Sequence, residues 1–319
     1  MTNNNIIVKD TSRDGIDRRG FLKCMGWAGT AVVCSISGGI LTSRALGDAL
    51  ANPGALAKAE LNFVQISDSH IGFNKAANTD VIGTFQEAIN RINALPKAPE
   101  FMLHTGDLTH LCQADEFDTV EQILRSAKTS KVFYVPGEHD FSDDGAQYLE
   151  RFGKGTLGHG WYSFDQKGVH CVGLVNVFGK SELGLGVLGQ DQLDWLQKDL
   201  APLSNSTPVV VFAHVPLWEI YPKWGWGTSD ATNALAMLKR FGSVTVLNGH
   251  IHQTIQKIDG NMTFHTARST AFLQPAPGAA AKPGPMVVPA AQLRSVLGLT
   301  SVKYTEVDHH LALIDSSLA

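Results

Sequence analysis

Cysteine is scarce in this chain, with four among 319 residues. Two of them, Cys24 and Cys34, sit in an N-terminal stretch that reads as a removable segment. The remaining pair, Cys112 and Cys171, permits one disulfide and excludes a disulfide framework. Charge is sparse as well. Asp, Glu, Lys and Arg make up 18% of the chain, the net charge is −4, and the basic residues are scattered. That leaves no electrostatic footprint for a nucleic acid polymer or an anionic membrane surface. No internal repeat is visible. What the chain does have is 44% hydrophobic residues, enough for one large domain or two small ones.

The N-terminus has its own character. Arg18 and Arg19 precede an uncharged run from Cys24 to Ser43, the pattern of a targeting segment with a basic start and an apolar middle. A small-residue exit follows among Ala45, Ala51, Ala57 and Ala59. Paired arginines followed by Phe21, Leu22 and Lys23 resemble a twin-arginine export signal, whose middle is only mildly hydrophobic. An uncleaved anchor needs about 20 apolar residues, and Gly26, Gly29, Ser35, Ser37, Gly38 and Gly39 make this run a poor one. Val33 is too large to precede a lipid-modified Cys34. Residues 1–59 are therefore expected to be signal and exit segment, and 60–319 the working domain. The resemblance implies the twin-arginine translocation machinery as a partner, a periplasmic or exported location, and no stable membrane span after processing.

From residue 61 onward, strand-length apolar runs alternate with helical spacing, which predicts an α/β architecture. The strands are expected at 61–67, 100–105, 131–135, 169–175, 208–213 and 243–248, and the helices at 80–92, 114–127, 189–200 and 231–241. Residues 254–259 and 261–267, turning at Gly260 and Asn261, read as a β-hairpin. The five prolines of 274–290 exclude a regular helix or central strand there and predict an extended surface loop. A last strand pair closes the chain, with His309 and His310 at the turn.

The strand ends are chemically uniform. FVQISDSH, FMLHTGD, YVPGEHD, VVFAHVP and TVLNGHIH each run from an apolar strand into Asp, Glu or His. Ligand sites in open α/β sheets lie beyond the carboxyl ends of strands, so Asp68, His70, Asp107, Glu138, His139, His214, His250 and His252 should converge. Carboxylates and imidazoles crowded together carry heavy desolvation costs unless a cation sits between them. The number of donors exceeds one tetrahedral zinc and suits two ions sharing a carboxylate. Mixed nitrogen and oxygen donors admit manganese, iron, zinc or cobalt. The other histidines, His104, His110, His159, His170, His265, His309 and His310, are read as ordinary core or surface residues.

The ordered series DxH (Asp68, His70), GD (Asp107), GxHD (His139, Asp140), a lone His after a strand (His214) and GHxH (His250, His252) resembles the calcineurin-like metallophosphoesterase superfamily over residues 61 to about 270. The resemblance implies two packed mixed β-sheets flanked by helices, a four-layer αββα sandwich, and hydrolysis of a small-molecule phosphate ester at two divalent metal ions. By motif position Asp68, His70 and His252 resemble ligands of the first metal, Asp107 the bridge, and His214 and His250 ligands of the second. His139 resembles the histidine that contacts phosphate and assists the leaving oxygen, with Asp140 expected to orient it. Within the superfamily Asp68 and His70 fit the cyclic-nucleotide phosphodiesterases better than the purple acid phosphatases, which lack that His and carry Tyr where this chain has His110.

Glu138 departs from the pattern, where the family usually has Asn. The favoured reading keeps it as a ligand of the second metal; the others make it an acid or base off the metal, or leave the second site weak or empty. Trp218, Tyr221, Trp224 and Trp226 follow His214 in one loop and either stack on the substrate or pin the loop. The function expected is hydrolysis of phosphomonoesters or phosphodiesters, cyclic nucleotides among them. The alternative is a non-catalytic metal-binding envelope protein in which Glu138 marks lost activity.

Overall fold

The computed structural model describes residues 60–129, 131–179, 181, 184–305 and 310–319, together with the strand Val32–Ile36. The proposed signal lies outside the described residues apart from that strand, whose backbone runs parallel to the last strand of the chain. Among the described residues no helix is long and apolar enough to cross a membrane.

Two six-stranded mixed sheets form the centre. In chain order the strands are β1 (Val32–Ile36), β2 (Glu60–Ile66), β3 (Phe101–His104), β4 (Val132–Tyr134), β5 (Tyr162–Gln166), β6 (Val169–Gly173), β7 (Val209–Phe212), β8 (Val244–Asn248), β9 (Gln256–Asp259), β10 (Met262–Thr266), β11 (Gly298–Thr305) and β12 (His310–Ser317). The first sheet is ordered β1-β12-β11-β2-β3-β4 and the second β5-β6-β7-β8-β10-β9. β2, β3 and β4 are parallel, as are β6, β7, β8 and β10. Antiparallel strands complete each sheet, including the expected hairpin β9–β10 and the final pair β11–β12.

The central strands are buried on both faces, which explains their unbroken apolar runs. Alternate residues serve opposite layers. Leu61, Phe63, Phe101, Leu103, Val210 and Phe212 fill the space between the sheets. Val64, Ile66 and Met102 face outward onto Val81, Phe85, Ile89, Phe117 and Val120. These belong to α1 (Val81–Asn93) and α2 (Ala114–Leu124). On the other side Val209 and Val211 meet α4 (Gln190–Leu200) and α5 (Ala231–Leu238) through Leu193, Leu196, Ala234 and Leu238. This is the expected αββα sandwich. α1 shows why these segments are helical. Asp80 caps it by accepting from the Gly83 amide at 2.8 Å, and Val81, Thr84, Phe85, Ala88, Ile89 and Ile92 form one buried stripe at helical spacing.

Four helices and strands were not expected: β1, α3 (Ala146–Phe152), β5, and α6 (Ala290–Val296). Residues 274–289 contain no helix or strand, as the prolines dictate. Cys112 and Cys171 are buried free thiols, so the permitted disulfide is not formed. His309 lies outside the described residues, and His310 opens β12.

Candidate metal centre

Five strand ends meet at one edge of the sandwich. The first sheet contributes Asp68 and His70 after β2, Asp107 after β3, and Glu138, His139 and Asp140 in the short 3-10 turn after β4. The second contributes His214 after β7 and His250 and His252 after β8. The backbone is forced at these points. Asp68, His70, Asp107, His250 and His252 all have positive φ, between 42° and 70°, a conformation that costs a non-glycine residue roughly 1–3 kcal/mol. Cross-strand bonds hold them there: Asp68 N–H donates to Gly106 O at 3.0 Å, His70 N–H to Asp107 O at 2.9 Å, and Gly249 N–H to His214 O at 3.0 Å. Two glycines make the approach possible. Gly106 has φ +95°, and a Cβ on Gly137 would lie 2.0 Å from Asp107 Oδ1.

The side chains form two nests that share one oxygen. In the first, His70 Nε2 lies 3.1 Å from His252 Nε2 and His252 Nε2 lies 3.3 Å from Asp68 Oδ1. In the second, Glu138 stands between His214 Nε2 and His250 Nδ1 at 2.9 Å from each. Asp107 Oδ2 lies 3.5 Å from His70 Nε2 and 3.4 Å from His214 Nε2, between the nests. Most of the cluster is buried: Asp68, His70, Asp107, His214 and His252 are at most 2% exposed.

The tautomers show what this arrangement is for. His214 Nδ1 donates to Thr105 O and His252 Nδ1 to Phe272 O, each at 2.7 Å. A carbonyl only accepts, so these nitrogens carry the ring proton, and a neutral ring then has a lone pair on Nε2. Those lone pairs face carboxylate oxygens, and His214 Nε2 is buried without a hydrogen-bond partner. Either a proton or a cation must stand between them. With only a proton available, His214 is driven well above the usual imidazole pKa: burial opposes the charge, but Asp107 and then Glu138 outweigh it. Burial likewise works to raise Asp68 and Glu138, but His252 and His250 respectively lead the charges that hold both carboxyls low. His70, buried beside His252, His139 and His110, is held neutral well below 6.5. An N/O donor set of this kind fits divalent first-row ions.

All nine expected site residues are in this region, but Asp140 is not where its expected role would put it. It was expected to orient His139. Instead its buried carboxylate accepts from the amides of Leu108, Thr109 and Gly137 at 3.0, 2.8 and 2.9 Å, and from the Thr109 hydroxyl at 2.8 Å. It ties the β3 and β4 loops together. Burial, and then the Asp107 charge, push its pKa up to about 6 against the pull of those amides. His139 Nδ1 donates to His110 O at 2.7 Å instead.

His110 is the residue that the sequence reading passed over. It lines the same cavity of about 350 Å³ as His139, His70, Asp107 and Glu138. Its ring stacks on His139, with centroids 4.7 Å apart and planes at 18°. Its position three residues after Asp107 in the same strand-end loop was the available signal. His104 is buried behind the site against Ser69 Oγ at 3.0 Å, and burial lowers its pKa to about 3. The aromatic loop divides its work. Trp224 and Trp226 line the cavity, whereas Trp218 packs on Phe264. The cavity's remaining walls include Phe73, Lys75 and the Pro283–Pro285 stretch of the proline-rich loop.

The fold and paired donor nests are those of a metal-dependent phosphoesterase class, and the comparisons agree. The calcineurin-like phosphoesterase family model matches residues 61–254, and the chain belongs to that family. It is 24% identical over 221 residues to a 3',5'-cyclic-nucleotide phosphodiesterase of Nostoc sp., covering 67% of this chain and 80% of that one. It is 25% identical over 218 residues to the serine/threonine-protein phosphatase CPPED1 of Danio rerio, covering 60% and 70%. A dimetal phosphatase from Danio rerio shares the fold, with TM-score 0.60 at 15% identity over 81% of this chain and 96% of that one.

Proposed function

We propose that the chain is a binuclear metal-dependent hydrolase of small phosphate esters, either mono- or diesters, exported through the twin-arginine route and working in the periplasm. Cyclic nucleotides are one candidate substrate, given the similarity to the Nostoc phosphodiesterase. The observation that carries this reading is the pair of buried imidazole lone pairs facing carboxylates on either side of Asp107 Oδ2. Asp68, His70, His252 and Asp107 would hold one ion, and Asp107, Glu138, His214 and His250 the other. The identity of the ions is left among manganese, iron, zinc and cobalt. Residues 1–59 would act as the signal and 60–319 as the enzyme.

When bound, a pair of divalent ions supplies Lewis-acid polarisation of the phosphate and lowers the pKa of water. The chain's own residues do the rest. With its Nδ1 proton committed to His110 O, His139, on the cavity wall, would have Nε2 left for the phosphate. Burial opposes a charge on this ring, but Asp107 and Glu138 raise its pKa above 6.5, so Nε2–H is available to donate to a phosphate or leaving-group oxygen. Asp140 keeps the loops bearing Asp107 and His139 in register. Glu138 brings a full charge to the second nest, which favours tight metal binding over strong polarisation.

The test is the full-length chain reconstituted with manganese and offered an aryl phosphate and an aryl phosphodiester. Turnover of at least one ester is expected, falling about 10²- to 10⁴-fold in His139→Ala with metal content unchanged. Stoichiometric metal with both esters intact would instead establish the non-catalytic metal-binding reading.

A further inference from the structure

Metal-binding histidines commonly fix their tautomer by donating the ring N–H that is not on the metal to a nearby acceptor. Three imidazoles of this site do so through rigid backbone: His214 to Thr105 O, His252 to Phe272 O and His139 to His110 O, each at 2.7 Å. Within the first nest His70 is the exception. Its Nε2 joins the first nest, and its Nδ1 faces a side-chain atom, His110 Nδ1, at 3.4 Å. We propose that His110 is a positioning residue, accepting the His70 Nδ1 proton and thereby holding His70 Nε2 toward the first metal. The inference rests on the binuclear reading above.

His110 is built for this task. Phe73 meets its ring edge-on, with centroids 5.1 Å apart and planes at 88°, and the His139 ring stacks on it. His110 also lines the cavity. His110 therefore contacts a metal-nest residue through its ring nitrogen and the phosphate-facing histidine through both its ring and its carbonyl. A bound ester that shifts His139 would be felt at His70 through one residue.

Two variants separate hydrogen bonding from packing. His110→Phe keeps a ring against His139 and Phe73 and removes the acceptor. His110→Asn returns an acceptor oxygen near the place of Nδ1 without the ring. Manganese competition against a chelating fluorescent indicator, on the full-length chain, reads affinity and stoichiometry independently of turnover. His110→Phe is expected to weaken one of two manganese equivalents about 10- to 100-fold, leave the other unchanged, and keep the thermal midpoint. His110→Asn is expected to recover most of that affinity. Wild-type affinity for both equivalents in His110→Phe, or equal weakening in both variants, would overturn the proposal. So would a third wild-type equivalent lost in His110→Phe, because His110 would then be a ligand. A wild-type chain that takes up no manganese would sink the binuclear reading itself, a different result from any of these.

Discussion

Glu138 is the residue whose chemistry most distinguishes this site. Its carboxylate stands 2.9 Å from both His214 Nε2 and His250 Nδ1, the position from which it would reach a cation in the second nest. A carboxylate there adds affinity by its charge and subtracts from the positive field felt by water and phosphate. Glu138→Asn, which installs the residue the family resemblance implies, is therefore expected to weaken the second metal by at least about 10- to 100-fold. Turnover at saturating metal should rise. Metal titration and steady-state rates on an aryl ester measure the two effects separately; unchanged affinity would show that Glu138 stands off the metal. Lys75 offers a second residue-scale test. It is an exposed cation on the cavity wall, so it is screened and adds only about 0.2–1 kcal/mol to an anionic contact. Lys75→Ala is expected to raise KM a few-fold for a dianionic monoester and less for a monoanionic diester, with kcat kept.

At the scale of elements, the loops after β3 and β4 act as one unit. Gly137 N–H donates to Asp140 Oδ2 at 2.9 Å, and its missing Cβ is what lets Asp107 pack against it. Gly137→Ala would put a carbon 2.0 Å from Asp107 Oδ1 and 2.3 Å from Asp107 N. Backbone rather than a flexible tip stands in the way, so the loops must part, at about 1–3 kcal/mol. Bound metal should fall together with activity, whereas Phe117, Val120 and the α2 packing stay intact; far-ultraviolet dichroism alongside elemental analysis checks this. The same loops show what the sequence made legible. Strands buried on both faces announce themselves as apolar runs, and a Gly followed by Asp or His at the tip marks the site. β5, with Tyr162, Phe164 and half-buried polar neighbours, lacks such a run, and α3 is one short stretch after Gly145, so neither stood out. The role of Asp140 was hidden because it depends on the amides of Leu108, Thr109 and Gly137, and amides carry no sequence signal. His110 was passed over for a related reason: a lone imidazole acquires meaning only when the fold brings His70 and His139 against it.

At the scale of the whole molecule, the proposed ions would add to the contacts that already join the two sheets, the apolar layer between them and buried hydrogen bonds such as Gln65 Nε2–H to Asn248 O at 3.1 Å. Asp68, His70, Asp107 and Glu138 come from the first sheet, and His214, His250 and His252 from the second. A cation in either nest therefore cross-links the sandwich at its carboxyl edge. Ligand present at 1,000 times its Kd stabilises by about 4 kcal/mol per site, equal to roughly 8–16 °C in a domain of this size. Chelation should lower the thermal midpoint accordingly, and the size of the drop should depend on pH in a definite direction. In the metal-free protein Asp68 and Glu138 are already ionised at neutral pH, and His70 is already neutral. His214 is the exception, its pKa raised well above 6.5 by Asp107 and Glu138 against its burial. Its proton stabilises the metal-free fold at pH values below 6.5, and that contribution fades as pH rises through the raised value. Metal must displace the same proton. Loading therefore releases about one proton from His214 wherever the metal-free ring is charged, and metal affinity climbs about tenfold, or 1.4 kcal/mol, per pH unit. Calorimetry of loaded and chelated protein at pH 5.5 and 7.5 should show the gap between midpoints widening at the higher pH. A gap that stays constant or narrows would mean that His214 does not give up a proton to the metal, and that its Nε2 faces Glu138 for structural reasons alone.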